Sequence, residues 1–277
     1  MIIGVNSKNS ATHKQSGYTI IETMIFLVIS GVILATSLLF FKGRQQRIQF
    51  TQGTREIEAG LKTVLNEVSS GYYPNKGDFS CTVGTEGPVL DFDVSSEQGS
   101  NENCIFLGKI LKFNTDGYTA YTTIGLRKNG PILSTSLEAS NPIVSENITE
   151  SYKLPWGIRI TKVVSVKNLS KSTRSAVGVL SSLGNFTPSE DGASFDIASG
   201  SQTASLLPIG NSLDDSLEVF NADVKAMKDS DRRPNKVVIC LESAGGDRQA
   251  AIILGGNNKQ LNTELFIDSN FSECEDA

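Results

Sequence analysis

Histidine is almost absent from this sequence, and its scarcity removes most common catalytic chemistries. The only histidine is His13, which lies ahead of a long apolar run. The rest of the chain therefore has no imidazole for a catalytic triad, a general base or a metal site. Pairs of serine and lysine remain as a nucleophile with a base, but no serine or lysine stands in a distinctive setting. We predict that the protein is not an enzyme.

Short cysteine pairs are also missing. Four cysteines are present, and none lies in a Cys-x-x-Cys pair of the kind that zinc sites and redox motifs use. They are Cys81, Cys104, Cys240 and Cys274. Two disulfides outside the cytoplasm are the better interpretation. Because neighbours in sequence close the shorter loops, we predict the bridges Cys81–Cys104 and Cys240–Cys274.

The chain has no excess of positive charge. Its formal net charge is −5, which argues against bulk affinity for nucleic acids because phosphate binding needs a positive surface. The most basic stretch of residues 72–277 lies at 225–236, with Asp223 just before it and Asp229 and Asp231 within it. Its basic residues are Lys225, Lys228, Arg232, Arg233 and Lys236. DNA binding through this stretch is therefore the less favoured alternative.

No acidic cluster matches a recognised calcium-binding loop. Two groups could supply oxygen ligands, namely Asp214, Asp215 and Glu218, or Asp191 and Asp196. Solvated turns are the better interpretation of both groups. We predict no metal and no cofactor.

Long apolar runs are scarce, and only one reaches the length of a membrane span. Residues Thr23 to Phe41 form a run of nineteen residues without a charge, about 28 Å long as a helix. A bundle of membrane helices is thereby excluded. An ordinary cleaved signal peptide fits poorly, because the run is too long, a helical pattern continues after it instead of a small-residue cleavage site, and Glu22 lies at its front edge. The best cleavage point for this alternative would be Ala35.

The junction in front of this run carries the most specific pattern in the chain. It reads Lys14-Gln15-Ser16-Gly17-Tyr18-Thr19-Ile20-Ile21-Glu22. The combination of a glycine, a carboxylate five residues later and an apolar helix resembles the class III signal of type IV prepilins and type II secretion pseudopilins. The resemblance implies that a prepilin peptidase cuts after Gly17 and methylates Tyr18, which stands where the family usually has phenylalanine.

The same resemblance places Glu22 at the fifth mature position, where the family has its glutamate. A charge immersed in an apolar helix costs a few kcal/mol, so such a group usually has a partner or lies near the membrane surface. Cleavage would create an α-amino group on Tyr18, and in a stack of staggered helices this amine could pair with Glu22 of a neighbouring subunit. We therefore predict that Glu22 acts in assembly. The alternative is a glutamate that marks the entrance of the helix at the interface.

The helical pattern continues beyond the membrane run. Apolar residues recur at helical spacing, namely Ile57, Leu61, Val64, Leu65 and Val68. Gly71 suits a C-cap and Pro74 blocks continuation. The pattern predicts one helix from about Thr19 to Ser70.

From Phe79 onward the pattern changes to short runs typical of strands. We predict strands at 105–113, 118–127, 153–165, 236–242 and 249–254. The segments 114–117 and 243–247 predict hairpins between the first two and the last two of these strands. Residues 168–235 are rich in serine and glycine and show little periodicity, so the sequence does not predict the order of the strands there. The fold class is therefore α+β, with a long N-terminal helix packed on an antiparallel β head, as in pilin heads.

These patterns divide the chain into four segments. They are a leader at 1–17, a transmembrane and assembly helix at 18–41, the amphipathic half of the helix at 42–71, and a mostly β head at 72–277. The basic residues flanking the apolar run do not favour a cytoplasmic N-terminus, and the orientation is taken from the motif. We expect a single-pass inner-membrane protein with its head outside the cytoplasm, which enters a pilus or pseudopilus.

The resemblance implies a pilin-like subunit, either a minor pilin or a pseudopilin. Its partners would be prepilin peptidase, other pilin subunits, the proteins of the pilus assembly platform and the membrane. The large head suggests a minor or tip subunit, because bulky heads are hard to repeat along a tight helix. The alternative function is a membrane-anchored binding or adhesion protein that does not polymerise.

Overall fold

The computed structural model describes residues 17–71, 79–85, 87–92, 103–129, 132–134, 137–167, 170–181, 186–188, 195–197, 204–210, 215–226, 236–255, 261–268 and 271–275. The chain divides into two compact units, Met1–Ile48 and Gln49–Ala277.

A single helix, α1, runs from Ile20 to Ser70, as the sequence predicts. Its first part, Ile20–Ser37, has a mean hydropathy of 2.1 and none of it is buried within the protein. The helix ends at Gly71, which has a φ of 66° and donates its N–H to the Val68 carbonyl at 3.2 Å. A left-handed glycine of this kind is a common helix terminator because it has no Cβ to clash. The predicted stop at Pro74 lies outside the described residues.

The strands and the shorter helices all lie beyond α1. In chain order the strands are β1 Ser80–Val83, β2 Pro88–Asp91, β3 Cys104–Asn114, β4 Gly117–Leu126, β5 Lys128–Asn129, β6 Ile132–Leu133, β7 Ile143–Lys153, β8 Arg159–Lys167, β9 Ser170–Thr173, β10 Ala176–Ser181, β11 Phe186–Pro188, β12 Phe195–Ile197, β13 Ala204–Ile209, β14 Lys236–Glu242, β15 Gln249–Gly255 and β16 Asn262–Ile267. Helices α2 and α3 span Leu217–Ala226 and Ser272–Glu275, and 3₁₀ turns occupy Glu138–Ser140 and Pro155–Gly157.

Most of these strands form two five-stranded sheets in which every neighbouring pair is antiparallel. The first sheet has the order β13-β10-β3-β4-β7, and the second has the order β16-β15-β14-β8-β9. The remaining described strands pair as β1–β2, β5–β6 and β11–β12. The α+β class predicted from the sequence is confirmed.

Both predicted hairpins are present. Asn114 pairs with Gly117, which leaves Thr115 and Asp116 as the turn between β3 and β4. The Asn114 side chain accepts a hydrogen bond from the Asp116 N–H at 3.1 Å, as asparagine does in many tight turns. Glu242 pairs with Gln249 at the start of the hairpin between β14 and β15.

One predicted strand is wrong as a single element. The run 153–165 contains the last residue of β7, a 3₁₀ turn and most of β8. Pro155 begins that turn and has no backbone N–H to give to a sheet. Trp156 and Gly157 follow with φ angles of 49° and 70°, so the chain turns instead of staying extended. Residues 168–235, for which the sequence predicts no order of strands, contain β9 to β13 and α2.

One hydrophobic core joins the second part of α1 to both sheets. The buried residues of α1 in this core are Phe50, Ile57, Leu61, Val64, Leu65 and Val68. They pack with side chains such as Leu111 and Val179 of the first sheet and Ile239 and Ile252 of the second. Two glycines of α1 also face these neighbours, since a Cβ at Gly53 would meet Ile158 and one at Gly60 would meet the Tyr118 hydroxyl. The spacing read from the sequence therefore identifies the buried face of the helix.

Two further layers cover the outer faces of the sheets. Phe220 and Val224 of α2 are buried against Ile110 and Leu180 of the first sheet. On the second sheet, Phe271 and Cys274 pack beside Val238 and Cys240. The first sheet is thus covered on both faces.

The structure joins Cys81 to Cys104 and Cys240 to Cys274, the pairing that the sequence analysis favours. The Cα atoms of the bridged cysteines lie 6.2 Å and 5.8 Å apart, and the two pairs are separated by 23 and 34 positions in the sequence. The first bridge joins β1 to β3, and the second joins β14 to α3.

Loss of the second bridge should weaken the protein. We expect Cys240→Ser with Cys274→Ser to lower the free energy of unfolding by about 3–4 kcal/mol, since closure of the loop restricts the unfolded chain. Denaturant unfolding of the two proteins in detergent measures the difference. Peptide mapping of the non-reduced wild type supplies the control, and recovery of Cys81 joined to Cys240 or Cys274 would contradict the pairing.

Candidate processing and assembly site

The predicted cleavage point lies just before α1 begins. Gly17, Tyr18 and Thr19 are outside the helix, which starts at Ile20. Tyr18 is 82% exposed, and a methyl group built at Gly17 would meet no atom within 4 Å. The Gly17–Tyr18 peptide bond is therefore non-helical and accessible, the state in which backbone is open to a protease.

Thr19 and Glu22 cap the start of the helix reciprocally. The Thr19 hydroxyl accepts a hydrogen bond from the Glu22 N–H at 3.3 Å, and the Glu22 carboxylate accepts one from the Thr19 N–H at 3.4 Å. This is a capping box, which satisfies two backbone donors that a helix start otherwise leaves without partners. The negative charge also lies at the positive end of the helix dipole.

The sequence analysis missed this arrangement, although its signal was available. A threonine followed three residues later by a glutamate, directly before an apolar run, is the sequence pattern of a capping box. The cap places the Glu22 carboxylate against the residue that directly follows Tyr18. A cut after Gly17 would therefore create a new amine within one residue of that carboxylate's hydrogen-bond partner.

Two threonines of the apolar run donate their hydroxyls to carbonyls of their own helix. Thr23 donates its hydroxyl to the Ile20 carbonyl at 2.9 Å, and Thr36 donates to the carbonyls of Val32 and Ile33 at 3.0 Å each. Polar side chains bonded to their own helix in this way are compatible with a lipid environment. Gly31 has open space where a Cβ would stand, so another helix could approach closely there.

Comparison with known families agrees with this geometry. A family model described as the prokaryotic N-terminal methylation motif matches residues 12–38. The chain carries the class III signal of type IV pilins and pseudopilins. The matched residues include the predicted cleavage point, the cap and most of the apolar run. Comparisons with curated proteins and with solved structures gave no match.

Residues 17–22 all lie within the class III signal. Such a signal implies processing by prepilin peptidase and assembly with other pilins, and the apolar helix that follows it indicates anchoring in a membrane. It also points to a structural subunit and not to an enzyme. The individual roles predicted for Gly17, Tyr18 and Glu22 stay predictions.

Two of the acidic and basic residues considered in the sequence, Asp215 and Lys236, have contacts within the protein. Asp215 accepts a hydrogen bond from the Ser175 hydroxyl at 3.3 Å, and Lys236 pairs with Glu273 at 2.6 Å, which lowers the pKa of that carboxyl. Within the described ranges no three acidic, cysteine or histidine side chains are grouped as a metal site requires. Asp191, Asp214, Lys228, Arg232 and Arg233 lie outside those ranges.

A buried ionic network lies under the end of α1, and the sequence analysis did not find it. The ammonium group of Lys109 in β3 contacts the carboxylate of Glu67 in α1 and lies 2.9 Å from the carboxylate of Glu150 in β7. The lysine side chain is 1% exposed, and the glutamates are 21% and 20% exposed. The Tyr152 hydroxyl donates to the same Glu150 oxygen at 3.0 Å, and Tyr118 stacks on the Tyr152 ring.

The two tyrosines hold their protons tightly in this setting. Burial, together with the nearby Tyr152, Glu150 and Glu67, raises the pKa of Tyr118 well above its usual value. Burial, followed by the charge and hydrogen bond of Glu150, raises the pKa of Tyr152 to about 12. Both shifts arise because a phenolate would add negative charge where little water can solvate it.

The raised pKa of Tyr152 predicts that the free energy of unfolding depends on pH. A pKa that is higher in the folded than in the unfolded protein stabilises the fold below the unfolded value of about 10, and the contribution is lost as the pH rises toward 12. We expect Tyr152→Phe to lose less unfolding free energy than the wild type between about pH 10 and 12. Denaturant titrations at stepped pH measure this, and an unchanged pH profile would contradict the assignment.

Proposed function

We propose that the protein is a minor pilin or secretion pseudopilin. In this proposal, prepilin peptidase cleaves after Gly17 and methylates Tyr18, and the mature subunit enters or caps a helical filament. The observation that carries the proposal is the class III signal, with its cleavage point exposed and non-helical directly before the long apolar helix.

The same helix supports the proposed membrane location. Ile20–Ser37 is long and apolar enough to cross a bilayer, and none of it is buried within the protein. The unit Gln49–Ala277 lies outside the cytoplasm in this proposal. Its two disulfides support a location outside the cytoplasm, because such bridges persist in oxidising compartments.

Glu22 is proposed to act in assembly by pairing with the Tyr18 amine of a neighbouring subunit. The capping box supports this role, because it holds the carboxylate at the helix start, next to the residue that follows Tyr18. Two charges paired among apolar helices cost less than either charge alone. Other pilins and the assembly platform are therefore the expected partners.

The size of the second unit supports a minor or tip position. It runs from Gln49 to Ala277 and carries two five-stranded sheets with an added layer on each. A bulky unit of this kind is hard to repeat at every position of a tight filament. The subunit would then serve adhesion, motility, DNA uptake or secretion through its place at an end of the filament or at few positions along it.

The N-terminus of the membrane-bound protein tests the proposal. N-terminal sequencing and mass spectrometry should find a chain that starts at a methylated Tyr18, and sheared filaments should contain it. An intact Met1, or a start beyond Ala35, would contradict the proposal. A start at Tyr18 without any filament-associated protein would favour a membrane-anchored binding protein that does not polymerise.

A further inference from the structure

Three separate elements bring one lysine and two glutamates together in the interior. Lys109 lies in β3, Glu67 lies in the last turns of α1, and Glu150 lies in β7. The two glutamates are 42 and 41 residues from the lysine in sequence. β3 and β7 flank β4 in the first sheet, so the lysine bridges across that strand to reach Glu150.

The surroundings exclude water from the lysine. Lys109 is among the largest fully buried side chains of the described residues, at 1% exposure. Leu111 and Phe113, two and four residues later on the same side of β3, belong to the core shared with α1. Tyr118, 3% exposed, stacks on Tyr152 with ring centroids 4.7 Å apart beside the glutamates.

This arrangement contains the groups that amide formation needs. The lysine nitrogen becomes a nucleophile once its ammonium loses a proton, and its contact with a Glu67 oxygen places it beside the carboxyl carbon. Glu150, in contact with the same nitrogen at 2.9 Å, can accept and return a proton. Groups held together by a fold react with effective concentrations far above those in solution.

We propose that Lys109 and Glu67 form an intramolecular isopeptide bond. The Lys109 nitrogen gives a proton to Glu150 and attacks the Glu67 carboxyl carbon, forming a C–N bond. Glu150 passes this proton to the departing Glu67 oxygen and then transfers a second proton from the nitrogen to the same oxygen. With both protons that oxygen leaves as water, and Glu150 ends as a carboxylate. The net reaction converts one ammonium and one carboxylate into one amide and one water, so it needs no other reagent.

An amide between Lys109 and Glu67 leaves fewer charges buried away from water than the ion pair does. Ions in a protein interior lose their hydration, and their mutual attraction often only offsets that loss. The amide removes two of the three charges, and Glu150 keeps the hydrogen bond from the Tyr152 hydroxyl. The bond also joins the end of α1 covalently to the centre of the first sheet, independently of whether the protein enters a filament.

Peptide mapping tests the bond on the full-length protein. The protein is purified from membranes in detergent, reduced and digested with trypsin, which cuts after Lys109 only if its amine is free. We expect the peptide containing Glu67 to be joined to the peptide containing Lys109, with a mass one water below the sum of the two. Cleavage after Lys109 with both peptides at their ordinary masses would overturn the proposal.

Three variants separate the roles of the residues. Lys109→Arg should give only unlinked peptides. Glu67→Gln should still link, but with the loss of ammonia instead of water. Glu150→Gln should reduce the linked fraction at least tenfold, and full linkage in this variant would overturn the proton transfer through Glu150.

Discussion

Replacing Gly17 with valine is expected to leave the protein entirely as the uncleaved precursor. The peptidase must accommodate an extended backbone beside the membrane, and a branched side chain before the cut would obstruct it. The substitution should not disturb the protein itself, because a Cβ at Gly17 would meet no atom within 4 Å. Immunoblots and N-terminal sequencing of membrane fractions measure the processed fraction.

Gly31→Ala provides a matched control for the Gly17 variant. Gly31 also has open space around the position of a Cβ, but it lies within α1 and away from the cut. We expect this variant to be processed as completely as the wild type. A Gly17→Val protein that runs at the mature mass would show that the class III signal is not used as proposed.

The second large effect concerns Glu22, whose replacement should separate membrane insertion from assembly. Glu22→Ala makes the helix more apolar, so insertion should be unchanged or improved. Within a filament, the Tyr18 ammonium of a neighbour would be left without its partner, a penalty of up to several kcal/mol. We expect a mature, membrane-inserted subunit that is nearly absent from sheared filaments.

The capping box provides a control that separates charge from helix capping. Glu22→Gln keeps an oxygen that can accept the Thr19 N–H, since glutamine serves in capping boxes as well. If the charge pairs with a neighbour's amine, Glu22→Gln and Glu22→Ala should be equally absent from filaments. Normal incorporation of the glutamine variant would show that capping is the role of Glu22. Normal incorporation of both variants would contradict the pairing or place this subunit at the tip.

The elements that the sequence predicted are those set by local patterns. The 3.6-residue spacing along α1 identified its buried face because one side of the helix packs on the sheets. The hairpins at 114–117 and 243–247 were signalled by turn residues. The capping box is equally local, since Thr19 and Glu22 lie three residues apart, but considering Glu22 only as a charge in the membrane overlooks it.

The elements that the sequence did not predict depend on distant contacts. All six residues of β10 are buried, since one face meets the core shared with α1 and the other meets the α2 layer. Such a strand shows no alternation of polar and apolar residues. Lys109 in β3 likewise resembles a solvent-facing charge until the fold places Glu67 and Glu150 around it.

The position of α1 in the core also determines how the β-rich part can be produced as a separate protein. A fragment that begins at residue 72 would remove the side chains of Leu61, Val64 and Val68 from between the sheets. The facing apolar surfaces would then be exposed to water, which favours aggregation during expression. The compact unit begins at Gln49, so a fragment for crystallisation or ligand screening should start at or shortly before that residue. Such a fragment omits the apolar run and retains the helix on which both sheets pack.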